Sequence, residues 1–217
     1  MSTLDRQVSL SANDCRVTRE SGDTTWVFYL TPGTQRFGYV YADTLKVGGA
    51  VLFTNITIPP GSTINDAYLT FTSGVSRSTT GVKARIRGHK VANPSSFSNL
   101  ADYQTRRGTT VGGSDDSQIT TAYVNWDDLE ACTELTEYDS PNIATVVQEL
   151  VNQASWASGN AMAFFIDDHE DRSTHTANTY RDGYDYDANP TYAVKFHVDY
   201  SEDSRSRWRI VFGNLTP

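Results

Sequence analysis

The densest collection of groups able to do chemistry in this chain is DDHEDRSTHTANTYRDGYDYDANP, residues 167–190, with seven acidic residues, two histidines and three tyrosines. Metal-dependent hydrolysis, calcium binding and glycoside cleavage by paired carboxylates all draw on such residues, so spacing has to choose among them. His169 and His175 stand six apart, whereas the H-E-x-x-H pattern sets its two zinc ligands one helical turn apart on a shared face. That excludes a zinc-protease helix. Asp185, Asp187 and Asn189 imitate the first ligands of an EF-hand loop, but Pro190 stands where the loop needs glycine and Phe196 where it needs a bidentate glutamate. A calcium site of another kind stays open, because calcium asks only for a shell of carboxylate and carbonyl oxygens. Its candidate ligands are Asp14, Asp167 and Asp168, with Asp182 beside them. The sequence holds no G-x-S-x-G, Walker A or dinucleotide glycine motif. A non-enzymatic protein is therefore expected.

Sugar binding needs an aromatic face beside planar polar groups. Tyr184 and Tyr186, with Arg181 and Asp182 adjacent, form the candidate carbohydrate-binding set, and Trp26, Tyr29 and Tyr103 also fall in or near expected loops. The competing reading is that tyrosines on β surfaces simply bury half a ring. At the C-terminus, Arg205, Arg207 and Arg209 flank Trp208. This segment, residues 201–217, reads as a basic tail, an extra strand, or an assembly arm that docks on an acidic neighbour.

The elements that must position these groups are mostly strands. With 12% aromatic and 20% charged residues the composition suits a β-rich chain. Residues 24–30, 37–42, 50–58, 67–73, 82–91, 121–126, 161–168 and 191–200 each combine β-branched or aromatic enrichment with flanking turn residues. Alternation places Ala67, Leu69 and Phe71 on one face and Tyr68, Thr70 and Thr72 on the other; it likewise turns Val82, Ala84 and Ile86 inward. One stretch departs from this period. Ile143, Val146, Val147, Leu150 and Val151 predict an amphipathic helix over about 141–155, with Ser140 as N-cap and Pro141 at its first position. Residues 93–118 are long, polar and rich in Gly, Ser and Thr, and so either carry function or hide a short strand.

A net charge of −8 leaves no basic footprint over the main body, which argues against nucleic acid as a partner. No window reaches a membrane span, and MSTLDRQVSL lacks the apolar run of a signal peptide. Cys15 and Cys132 fit no zinc or redox spacing and are expected as buried or free thiols rather than a bridge.

The line AVLFTNITIPPGSTINDAYLTFTS, followed by VKARIRGHKVANPSSF, resembles a jelly-roll module of bacterial surface and phage proteins known as DNRLRE-type or carbohydrate-binding-module-like. Phe53, Asn55, Ile58, Pro59, Gly61, Ile64, Ala67, Leu69 and Phe71 carry the pattern. The later VNW, the helix running into Trp156, Gly159, Asn160 and Ala161, and the closing strand follow in the same order. The resemblance implies an all-β jelly-roll β-sandwich over residues 5–200 with the helix capping it. It implies binding rather than catalysis, and core roles for Trp126 and Trp156. The leading expectation is a structural virion protein, a head decoration or tail component located in the virion and partnered by its own copies and by other virion proteins. The alternative is a carbohydrate-binding adhesin or accessory module at a cell surface. Calcium is the candidate cofactor.

Overall fold

A computed structural model describes residues 1–20, 25–40, 44–109, 118–127 and 129–202. The expected assembly residues Arg205, Arg207, Trp208 and Arg209 lie outside the described residues. The strands are β1 (Ser2–Gln7), β2 (Asp14–Glu20), β3 (Trp26–Tyr29), β4 (Gln35–Val40), β5 (Leu45–Ile56), β6 (Thr63–Thr72), β7 (Ala84–His89), β8 (Ile119–Trp126), β9 (Glu137–Asp139), β10 (Asn160–Asp167), β11 (Thr179–Gly183) and β12 (Lys195–Ser201). Two helices accompany them, α1 (Leu100–Arg107) and α2 (Ala144–Val151). All the strand pairings are antiparallel, and they build a sheet in the order β1-β12-β6-β9 and a larger one in the order β11-β4-β5-β10-β7-β8, with β2 and β3 attached to β5. The protein is an all-β sandwich, as expected. The domain takes in β1, which begins ahead of the expected boundary at residue 5.

The main core lies between the sheets. Leu69, Phe71 and Ala67 of β6 and Phe196 and Val198 of β12 face Phe53, Ile86, Phe164 and Ile166 of the larger sheet. Phe53, Phe164 and Phe196 sit 5.2–6.2 Å apart between ring centres, and Phe37 packs on both Phe71 and Trp126. Each buried phenylalanine contributes on the order of 2 kcal/mol by removing its ring from water. Trp156 is buried and donates its indole N–H to the Ile58 carbonyl at 3.0 Å. α2 lies along β6, β7 and β8 and closes the gap between the sheets on that side.

A second core covers the opposite face of the larger sheet. Alternate residues of β10 divide between the two: Met162, Phe164 and Ile166 enter the first, Ala161, Ala163 and Phe165 the second. β5 divides likewise, with Val51 and Phe53 on one side and Ala50 and Leu52 on the other. A strand buried on both faces reads as a continuous apolar run, which is what AVLF and AMAFFI are. The cover over the second core comes from α1, Phe97 and β3, with Tyr103 fully buried at its centre. The polar 93–118 region thus contributes a helix where a loop or strand is expected. Asn99 caps α1 by accepting the Asp102 N–H, and Gly108, at φ +83°, ends it.

The start of α2 corrects the expected cap. Ser140 bonds instead to the Leu69 N–H and the Pro141 carbonyl, so it joins the helix approach to β6. The N-cap position falls on Ile143, which has no capping side chain, and Asn142 just ahead of it accepts the Ala144 N–H at 2.7 Å.

The larger sheet forks at β5. At Val47 the two edges of β5 meet Thr18 of β2 and Gly38 of β4; at Gly48 they meet Val17 of β2 and Asp167 of β10. β4 and β10 therefore share one edge end to end. Gly48 is what lets β10 come that far, since a Cβ there would lie 2.1 Å from the Asp167 Cβ. Gly61, at φ +78°, has open space around it. Gly48→Ala is expected to lower stability by about 3 kcal/mol or more through overpacking. Gly61→Ala should cost only about 1 kcal/mol, from backbone strain. Chemical denaturation of the two variants tests that order, and equal losses would contradict it.

Candidate functional site

The acidic stretch comes apart into pieces with different work. Asp167 ends β10 in the second core, where Arg107 of α1 grips it through Nε at 2.8 Å and Nη2 at 2.9 Å. Burial alone would raise this carboxyl, but Arg107 and His169 more than reverse that and hold it well below the usual carboxylate range. Asp168 turns the chain back by accepting the Arg172 N–H on Oδ1 and the Ser173 N–H on Oδ2; burial pushes it up to about 6. The two histidines diverge. His169 is buried between Trp26 and Tyr103, with its Nε2 3.3 Å from the Tyr103 hydroxyl, and burial pushes it down to about 4. His175 lies outside, flat against Tyr39 at 3.9 Å and bonded to Asp171. Each carboxylate oxygen of Asp167 and Asp168, both candidates for calcium in the sequence, accepts at least one hydrogen bond from the protein.

The expected sugar-binding set is also largely occupied. Asp182 is buried, with Arg36 at 2.6 Å on one oxygen and Arg77 at 2.8 Å on the other, and both guanidinium groups lie over the Tyr180 ring. Arg181 is buried and donates to the carbonyls of Thr79, Leu129, Glu130 and Tyr180. These two residues tie the 74–80 and 129–133 connections to β11 and present little to a ligand. Tyr184 packs on Tyr192, and Tyr186 rests against the main core. The apolar hollow beside Arg181, bounded by Phe37, Phe71 and Trp126, has room for about one water at ≈ 30 Å³. Cys132 lines it, whereas Cys15 is in the second core, and both thiols are free.

Asp14 has a different setting. It opens β2, directly after the turn Ser11–Asn13, and meets Asp185 and Asp187 of the β11–β12 connection. One oxygen from each of the three carboxylates falls within 4.8 Å of the others. Asp14 accepts the Tyr186 N–H, Asp185 the Ala188 N–H, and Asp187 the Ser11 hydroxyl. Burial pushes Asp14 up to about 8 and raises Asp185, with the neighbouring aspartates adding to both.

The outer face of the four-stranded sheet is the other concentration of polar groups. Alternation there turns Asp5, Gln7, Tyr68, Thr70, Lys195 and His197 outward around a groove of ≈ 370 Å³. That volume lies at the lower end of the range for small-ligand sites. Tyr68 lies against His197, with ring centres 4.6 Å apart and planes 21° from parallel. Asp5 bonds His197 Nδ1 at 2.7 Å, and Asp139 accepts from the Thr70 hydroxyl at 2.6 Å. Partial burial and the aspartates Asp139, Asp5, Asp66 and Asp199 raise the Tyr68 hydroxyl. The outward placement of Tyr68 and Thr70 follows from the sequence alternation, but β1 and β9 carry no strong strand signal, so the face as a whole does not.

The buried Arg107–Asp167 pair has a measurable consequence. Arg107→Met leaves the Asp167 carboxylate without its cation in the second core and should lower stability by about 3–5 kcal/mol. Denaturation midpoints check this, and a loss within about 0.5 kcal/mol, the size of an ordinary surface substitution, would refute it.

A scan against protein-family models returns no match, and a search of curated proteins returns none either. The resemblance to the jelly-roll module therefore rests on the quoted residues alone.

Proposed function

We propose that this protein is a non-catalytic binding module whose working surface is the outer face of the four-stranded sheet, and that its ligand is a glycan. The observation that carries the reading is the groove around Tyr68 and His197, where two adjacent rings border hydrogen-bonding side chains of both kinds. Asp5, Asp139 and Asp199 can accept from sugar hydroxyls, while Lys195 can donate to ring and hydroxyl oxygens. The stacked pair gives the groove an apolar wall against which the C–H face of a pyranose can pack. Carboxylates outnumber basic side chains here, with Asp5, Asp66, Glu137, Asp139 and Asp199 against Arg6, Lys195 and His197 on the same strands. That balance favours neutral or amino-bearing glycans and repels uronic and sialic acids.

The same excess of negative charge favours a second reading, a structural virion subunit whose acidic face is covered by another copy or by another virion protein. The arginines at positions 205, 207 and 209 would supply the complementary charge.

Under the glycan reading, an array of neutral and charged glycans should give hits among the neutral or amino-bearing members. Tyr68→Ala and His197→Ala should weaken those hits about tenfold each, the value of one ring contact. Tyr184→Ala should leave them unchanged. An array without hits, together with a light-scattering mass of several chains, would favour the virion reading instead.

A further inference from the structure

The three aspartates at the start of β2 and in the β11–β12 connection form an arrangement that the protein chain by itself leaves incomplete. Asp14 and Asp185 are both fully buried, yet Oδ1 of Asp14 and Oδ2 of Asp185 have no hydrogen-bond donor. A buried carboxylate oxygen without a partner is costly, and here both belong to carboxylates of one cluster. Among the described residues, no lysine or arginine forms an ion pair with Asp14, Asp185 or Asp187. The neighbouring guanidinium, Arg16, is directed to the Thr34 hydroxyl and the Tyr29 ring.

We propose that Asp14, Asp185 and Asp187 bind a calcium ion that fastens the β11–β12 connection to the start of β2. The donor set is all oxygen, with neither imidazole nor thiolate, which selects a hard cation. Ligand oxygens on opposite sides of a calcium ion, at bond lengths of about 2.3–2.6 Å, lie roughly 4.6–5.2 Å apart, and those at smaller angles lie closer. The three carboxylate oxygens, all within 4.8 Å of one another, are close enough together to share one such ion. Magnesium bonds are shorter, about 2.0–2.1 Å, and demand near-octahedral geometry, so the site should prefer calcium. Asp187 is exposed, which leaves that side open for water ligands and for entry of the ion.

The cation would do for the unpartnered oxygens what Arg107 does for Asp167. It would join positions 171 and more residues apart in the chain, since Tyr186 already bonds Asp14 across a separation of 172. In the EF-hand imitation read from the sequence, Asp185 and Asp187 lie in the right kind of loop. Their third carboxylate comes from the other end of the chain and not from a position farther along.

The test uses the full chain, stripped with chelator and dialysed. Millimolar calcium chloride should raise its melting temperature by about 5–10 °C at saturating excess. Magnesium should do less, and sodium chloride at matched ionic strength should do nothing comparable. Asp187→Asn, which alters an exposed side chain, and Asp185→Asn should each remove most of the calcium increment, while Asp5→Asn on the outer sheet face should keep it. Calorimetric titration should give one ion per chain for the unaltered protein. The proposal is overturned if calcium leaves the melting temperature unmoved, or if the increment survives in both site variants. A failed glycan array would not bear on it, because the calcium readout involves no sugar.

Discussion

A carboxylate buried without a counter-charge is costly enough to unfold a marginally stable domain, so Asp167 at the end of β10 sets a condition that the surrounding fold has to meet. It meets it with Arg107, the last residue of α1, through two parallel N–H···O bonds. That contact draws α1 across the larger sheet and brings Tyr103 down onto Phe165, and the helix then covers the second core. It also holds the end of β10 at the point where β4 takes over the edge of β5, with Gly48 providing the clearance. One ion pair thus joins the fork in the sheet to the helix that roofs it.

This explains which parts of the architecture can be read in the sequence. Strands with one buried face announce themselves by alternation, as β6 and β7 do, and the period of Ile143, Val146, Val147, Leu150 and Val151 announces α2. α1 is hidden because its buried residues are Tyr103, Arg106 and Arg107. The arginines bury their stems and satisfy their charges on Asp102, Ser95, Ser96 and Asp167, so a hydropathy pattern counts as solvent-facing the side chains that seal the core. What signal exists lies in the caps, Asn99 before the helix and Gly108 after it. The unbroken apolar runs of β5 and β10 carry a matching hint, since strands covered on both faces imply a further layer beyond the sandwich.

Site residues were less legible for a related reason. Aspartates look alike in a sequence, and their roles are assigned by partners that come from distant segments. Asp167 and Asp168 have all their oxygens engaged by donors, Asp182 is shared by two arginines, and Asp14 meets carboxylates of the last loop. Only the contacts across the sheet distinguish a structural acid from one with spare coordinating capacity. Asp14 was nameable as a metal-ligand candidate, but Asp185 and Asp187 were recognisable only as members of a failed EF-hand.

The outer sheet face and the Asp14–Asp185 pocket place different demands on a ligand. On the outer sheet face the polar groups already satisfy one another, as in the Asp5–His197 and Thr70–Asp139 contacts, so a ligand must exchange existing bonds and gains little per contact. Such a face suits weak, repeated recognition of an extended ligand, where affinity accumulates over many units. At Asp14 and Asp185 the balance is reversed, because the unpartnered oxygens have no bonds to give up. A cation there would be bound tightly by few contacts and would act on the stability of the domain rather than on recognition. A satisfied face and an unsatisfied pocket thus differ in what binding would change, exchange of existing hydrogen bonds at the first and relief of unpartnered oxygens at the second.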